Sequence, residues 1–179
     1  MEFTQTQQST KNSYVAGDIE SWEDDKIDLK GNLLRGIYSF GFEIPSPIQK
    51  KAINPFINRF NDKGKRIDII AQAQSGTGKT GAFTVSSLQI VDEEIKNTQV
   101  IILEPTHELA KQTHKVIGKD GLSHYMDIHC KLLIGGTSIE EDKKSLEETP
   151  PQIIVGTPGR IQDMLQRDYI KTENLRLLI

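Results

Sequence analysis

Ala73-Gln74-Ser75-Gly76-Thr77-Gly78-Lys79-Thr80 is the stretch on which the fold turns. It matches the glycine-rich phosphate-binding loop (P-loop) at every position but the first, where Ala73 stands for glycine. Gly76 and Gly78 let the backbone turn so that several N–H groups face one concavity. That concavity would open the next helix, whose N-terminal dipole favours anions. Lys79 would reach the β- and γ-phosphates of a nucleotide, and the Thr80 hydroxyl would ligate Mg²⁺. The flanks supply the context that a chance Gly-Lys-Thr lacks. Ile67-Asp68-Ile69-Ile70-Ala71 before the loop is an apolar run of buried-strand type, and residues 79–96 after it read as a helix.

Outward from the loop, strands and helices alternate. Val100-Ile101-Ile102-Leu103 reads as a second strand, residues 128–134 as a third, Ile153-Ile154-Val155 as a fourth and residues 175–179 as a fifth. Helices are expected over residues 108–117, 138–147 and 159–166 between them. This order predicts an α/β fold, with a parallel sheet joined by right-handed crossovers and helices on both faces. Strands covered on both faces should be apolar throughout, as these largely are. Upstream, Leu29, Leu33, Leu34 and Ile37 have helical spacing, and Gly41 ends that helix. A further helix starts at Pro45 and Pro47, with Ile48, Ala52, Ile53 and Phe56 on its apolar face. Residues 58–66 are polar and basic and read as a surface loop. Residues 1–18, rich in Gln, Thr and Ser, are expected to be a disordered tail before a single domain over residues 19–179.

Composition narrows the class. The chain has 179 residues, 36% hydrophobic and 26% charged, enough to bury one core without disulfides or metals. A net charge of -3 gives no global signal for nucleic acid, so any nucleic acid would have to bind at a local patch. Cys130 is the single cysteine, which favours a reducing compartment. His107, His114, His124 and His129 show no metal-ligand spacing with it, so no zinc site is expected. No apolar run approaches the roughly 20 residues that span a bilayer, and the N-terminus lacks a signal-peptide layout.

Five short stretches, in order, make the chain similar to the DEAD-box RNA helicases, and within them to the translation initiation factor 4A subgroup. Gly41-Phe42-Glu43-Ile44-Pro45-Ser46-Pro47-Ile48-Gln49 resembles the family's Q motif, and residues 70–80 resemble its motif I. Pro105-Thr106-His107-Glu108-Leu109-Ala110 resembles motif Ia, Gly135-Gly136 the GG motif and Thr157-Pro158-Gly159-Arg160 motif Ib. The resemblance implies a RecA-like domain, the first of two in such helicases, that binds ATP with Mg²⁺. Ala73, Gln74, Ser75, Gly76, Thr77, Gly78, Lys79 and Thr80 would hold the phosphates and the metal, with Lys79 and Thr80 as the catalytic pair. Gln49 would read the adenine edge, because an amide can pair with N6 and N7 together. Phe42 would sit near the base. Trp22 would either take the place of an upstream aromatic beside the adenine or simply pack for its apolar area. Pro105, Thr106, His107, Glu108, Gly135, Gly136, Thr157, Pro158, Gly159 and Arg160 would form an RNA-backbone track, reading sugar and phosphate with little base preference.

Two departures bear on activity. His107 stands where the family carries arginine, which replaces a permanently charged fork with a group mostly neutral at pH 7. The Asp-Glu-Ala-Asp sequence that names the family would follow residues 175–179 and is absent from these residues. So are the Ser-Ala-Thr motif and the second domain with its arginine fingers, which are worth about 10³ to 10⁵ in rate in related enzymes. The resemblance therefore implies an ATP-dependent RNA helicase of which these residues form the ATP-binding part, unable by themselves to hydrolyse ATP usefully. Apolar Leu177-Leu178-Ile179 would leave a sheet edge prone to association. The alternative is a truncated module that binds nucleotide, RNA or a protein partner without turnover; a different P-loop ATPase or GTPase fits less well, given Phe42 and Gln49. A cytoplasmic (or nuclear) site, a role in translation initiation and scaffold-protein partners follow from the resemblance alone.

Overall fold

Val100, Ile102, Ile153 and Val155 belong to one hydrophobic cluster, while Ile101 and Ile154, between them in sequence, belong to another. That alternation places apolar residues on both faces of a sheet, and both faces are covered by helices. The computed structural model describes residues 17–58 and 68–179. In chain order the elements are α1 (Gly31–Ser39), α2 (Pro47–Asn58), α3 (Lys79–Ile90), β1 (Val100–Leu103), α4 (His107–Ile117), β2 (Cys130–Leu133), α5 (Ile139–Glu148), β3 (Ile153–Gly156), α6 (Pro158–Gln166) and β4 (Leu177–Leu178).

The sheet order is β2-β3-β1-β4, with every pairing parallel. β1 and β3 pair over their full lengths, Val100 with Ile153 through Leu103 with Gly156. Helices α1 to α4 and residues 19–27 cover one face, through Leu33, Ile53, Val85, Leu88 and Ile117 among others. Helices α5 and α6 cover the other, through Leu146, Ile161 and Met164. The α/β expectation with helices on both faces is met.

Three boundaries differ from the sequence reading. First, residues 68–71 form no strand, and Ile70 is fully exposed; Ile67 lies outside the described residues. A parallel strand needs a neighbour of comparable length to supply its ladder, and β4 is only Leu177–Leu178, already paired to β1. Secondly, α3 stops at Ile90 rather than near residue 96. The buried Gln99 side chain accepts from Asp92 N at 2.8 Å and donates to Asp92 O at 2.8 Å and Ile95 O at 2.9 Å, which holds the chain in a turn instead of a further helical turn. The last carbonyls of α3 are taken by Lys30, bonded to Leu88 O and Val91 O, and by Arg176, bonded to Ile90 O. Thirdly, Gly17 and Asp18, the last residues of the expected tail, bond to the rest of the chain. Gly17 O accepts from Asn54 Nδ2 at 2.8 Å, Asp18 O accepts from Lys26 Nζ at 3.0 Å, and Ile19 is fully buried. The rest of the expected tail, residues 1–16, and of the expected basic loop, residues 59–66, lies outside the described residues; Asn58 ends α2.

Candidate functional site

The carboxyl ends of the parallel strands bring the singled-out loops together, as open α/β sheets do with their ligand sites. Residues 105–108 follow β1, Gly135-Gly136 follow β2 and residues 157–160 follow β3. The P-loop opens α3, which packs on the first of the two cores.

Gly78 is the N-cap of α3 in the left-handed region, at φ +102°, and Gly76 lies at φ +77°. No side chain caps α3, so its first N–H groups are left for another acceptor. Thr77 closes the loop by donating to Gln74 O at 2.8 Å. The Lys79 ammonium donates to Ala73 O at 2.6 Å and Gln74 O at 2.7 Å, folding back over the loop. Gln49, expected to read adenine, is 5% exposed and holds the P-loop from α2. Its Oε1 accepts from Ser46 N at 2.7 Å, and its Nε2 donates to Gly78 O at 3.2 Å. A side amide has two donors and two lone pairs, so one of each is engaged by the chain itself. The fit needs glycine on both sides. A Cβ at Gly78 would sit 2.6 Å from Ser46 Oγ, and one at Gly81 2.4 Å from Gln49 Nε2 and 3.1 Å from Phe42.

Phe42 is half-buried and lines a cavity of about 830 Å³ beside the P-loop. Ser75, Gly76, Gly78, Lys79 and Thr80 form the polar end of this cavity, while Ile48, Phe56, Phe83 and Ile179 stand on its apolar wall. Trp22 is not a wall residue. It is 0% exposed and stacks behind Phe42, with centroids 6.3 Å apart and rings inclined by 15°. The Trp22 ring packs against Phe42, which lines the cavity. Its Nε1 has no hydrogen-bond partner among the described residues.

The second constellation lies at the ends of β1, β2 and β3. The His107 ring lies against Gly135, its Nε2 3.4 Å from where a Cβ would stand, so the loops after β1 and β2 touch. Pro105, Thr106, His107, Glu108, Gly136, Pro158 and Gly159 are exposed. Thr106 Oγ1 accepts from Leu109 N at 3.2 Å and caps α4, and Ser138 caps α5 in the same way. Thr157 makes no such cap, so α6 presents an open N-terminus with Pro158 in its first turn. Glu108 occupies the first turn of α4, where its own backbone N–H, the first of the causes, holds its carboxyl below the usual carboxylate range. A negative group there suits the helix end but repels a phosphate.

Arg160 is held within the chain. It was expected to offer its charge to RNA, but its side chain is 8% exposed and its fork is engaged within the chain. Nη1 donates to Asp142 Oδ2 at 2.6 Å and to Thr137 Oγ1 at 3.1 Å, and Nη2 donates to Thr137 O at 2.8 Å. Asp142, 4% exposed, also meets Lys131 at 3.4 Å and accepts from Thr137 Oγ1 at 2.9 Å. Arg160 thus ties the start of α6 to the turn after Gly136.

Glu104 was missed by the sequence reading. It follows β1 directly and lines the same cavity as Lys79 and Thr80.

A P-loop helix held by a Q-motif amide, on a parallel sheet whose strand ends carry the other loops, is the arrangement of a helicase core domain. Residues 46–179 match the family model described as DEAD/DEAH box helicase, and the chain belongs to that family. It is 51% identical over 169 residues to the ATP-dependent RNA helicase eIF4A of Aspergillus fumigatus, covering 91% of this chain and 39% of that protein. The ATP-dependent RNA helicase eIF4A of Neosartorya fischeri is also 51% identical, with 40% of its length covered. The chain therefore spans about two fifths of these curated relatives. Among solved structures, Dbp5 of S. cerevisiae bound to RNA and ADP BeF3 matches with a TM-score of 0.73 at 32% identity, covering 86% of this chain and 36% of that one. A DEAD box protein from Methanococcus jannaschii matches with a TM-score of 0.77 at 32% identity, covering 90% and 41%.

Proposed function

We propose that these residues are the ATP-binding part of an ATP-dependent RNA helicase. The observation that carries this is the clamp in which Gln49 bonds Gly78 O across the start of α3, which ties an adenine-selecting element to the phosphate loop. In this reading the open N–H groups of α3 and the Lys79 ammonium take the β- and γ-phosphates. The remaining donor and lone pair of Gln49 face the adenine edge, and Phe42 borders the base. Thr80, on the polar wall beside Lys79, has the hydroxyl that a hard cation prefers. Mg²⁺ bound there would neutralise phosphate charge.

RNA would lie along the loops after β1, β2 and β3. The open N-terminus of α6 and the backbone of Gly135 and Gly136 would take phosphates, and Arg160 would hold that surface in shape. Two further features support the RNA reading: the match to a Dbp5 structure bound to RNA, and the relatives named RNA helicase. A role in translation initiation, with its scaffold proteins as partners in the cytoplasm, rests on 51% identity to proteins named eIF4A.

Hydrolysis also requires an acidic pair and arginines in trans. The test is fluorescence titration with a labelled ATP, with unlabelled ATP or GTP as competitor. Binding that ATP displaces far better than GTP, and that Lys79→Ala weakens by about 100-fold through loss of charge-assisted bonds, is the expected outcome. Equal competition by GTP, or full affinity in Lys79→Ala, would refute the reading.

A further inference from the structure

Resting on that reading of the P-loop, we propose that Glu104 is a positioning residue that makes nucleotide binding dependent on a divalent cation. Its place is fixed from both sides. Its backbone N–H donates to Gly156 O at 2.9 Å, extending the sheet contact one residue beyond β1. Its Oε1 accepts from the Thr113 hydroxyl at 2.6 Å, and Thr113 is 2% exposed on the inner face of α4. Oε2 has no partner among the described residues. The carboxylate is therefore anchored through one oxygen, and Glu104 lines the cavity that Lys79, Thr80 and Gln112 also line.

This placement has an electrostatic consequence. The cavity lining offers two attractions to a triphosphate, the Lys79 ammonium and the N-terminus of α3, and one repulsion, from Glu104. In a cavity lined largely by apolar side chains that repulsion is weakly screened. A divalent cation between the phosphates and Glu104 reverses its sign, because the carboxylate then faces positive charge and, directly or through a bound water, completes an oxygen ligand set with Thr80. Mg²⁺ thus has two effects: it neutralises the phosphates, as for any nucleotide site, and it converts a repulsive wall into an attractive one. Only the second depends on Glu104.

The experiment compares the parent chain with Glu104→Gln, which keeps the acceptor for Thr113 and removes the charge. Labelled ATP is titrated into each with millimolar Mg²⁺ and again with a chelator. Without the cation, Glu104→Gln should bind about tenfold more tightly than the parent; with Mg²⁺ it should bind more weakly, also by about tenfold. A structural role alone would shift both affinities in the same direction. Thermal melting of the nucleotide-free chain, expected to be unchanged, checks the fold. If the parent binds labelled ATP and the substitution leaves its cation dependence unaltered, the proposal is overturned. If the parent binds no nucleotide under either condition, the ATP-binding reading itself fails.

Discussion

The corner around Arg160 and the edge around Lys79 both face candidate ligands, but they are built differently. At the first, Asp142 binds Arg160 and Lys131, Arg160 binds Thr137, and β1 and β3 are paired over their full lengths beneath them. Every strong partner there is another part of the chain. At the second, the Lys79 ammonium bonds, among the described residues, to carbonyls of its own loop, and residues 68–71 before that loop form no strand and expose Ile70. From outside the loop, Gln49 holds it through one bond to Gly78 O. The backbone surface proposed for RNA is thus shaped before any ligand arrives. The phosphate site is held by contacts that a ligand can replace.

The largest expected effect tests the locked corner. Asp142→Ala leaves Arg160 buried without its carboxylate and should cost about 3–5 kcal/mol of stability, read by chemical denaturation. The pair Asp142→Leu with Arg160→Met should recover most of that loss. If the single substitution were harmless, the corner would not be held by charge. Next, Ile154→Ala in β3, where the side chain is 0% exposed, should cost about 2–5 kcal/mol. Ile70→Ser should change stability by less than about 0.5 kcal/mol, since that side chain already faces solvent. A large loss at Ile70 would show that residues 68–71 join the sheet in solution and would weaken the contrast. Largest on ligand, Gln49→Ala should loosen the P-loop and erase the preference for ATP over GTP; competition titrations read both.

The sequence exposes some of this better than the rest. The P-loop is contiguous, so its glycines, lysine and threonine carry their own spacing and are legible. So are β1 and β3, whose apolar runs have no other reading once helices flank them. The role of Gln49 is less so, because its partner Gly78 lies 29 positions away. The Arg160–Asp142 pair joins residues 18 apart that belong to different helices. It did leave a signal: Ile139, Asp142 and Leu146 follow helical spacing on α5, and an acid within an apolar stripe calls for a buried partner. Glu104 left none, since its importance comes from a cavity that only the packing of α3, α4 and β1 creates. The run Ile67-Asp68-Ile69-Ile70-Ala71 shows the converse failure. Its composition fits a buried strand, but pairing requires a neighbour, and composition does not report on neighbours.

The most direct test of the contrast is amide hydrogen exchange on the intact chain, with and without ATP and Mg²⁺. The amides of Gly76, Gly78, Lys79 and Thr80 should exchange rapidly without nucleotide and become strongly protected with it. Those of Asp142, Thr157 and Ile161, which are bonded within the chain, should be protected in both conditions. Equal protection of the two regions without nucleotide, or no change at the P-loop on adding it, would contradict the account.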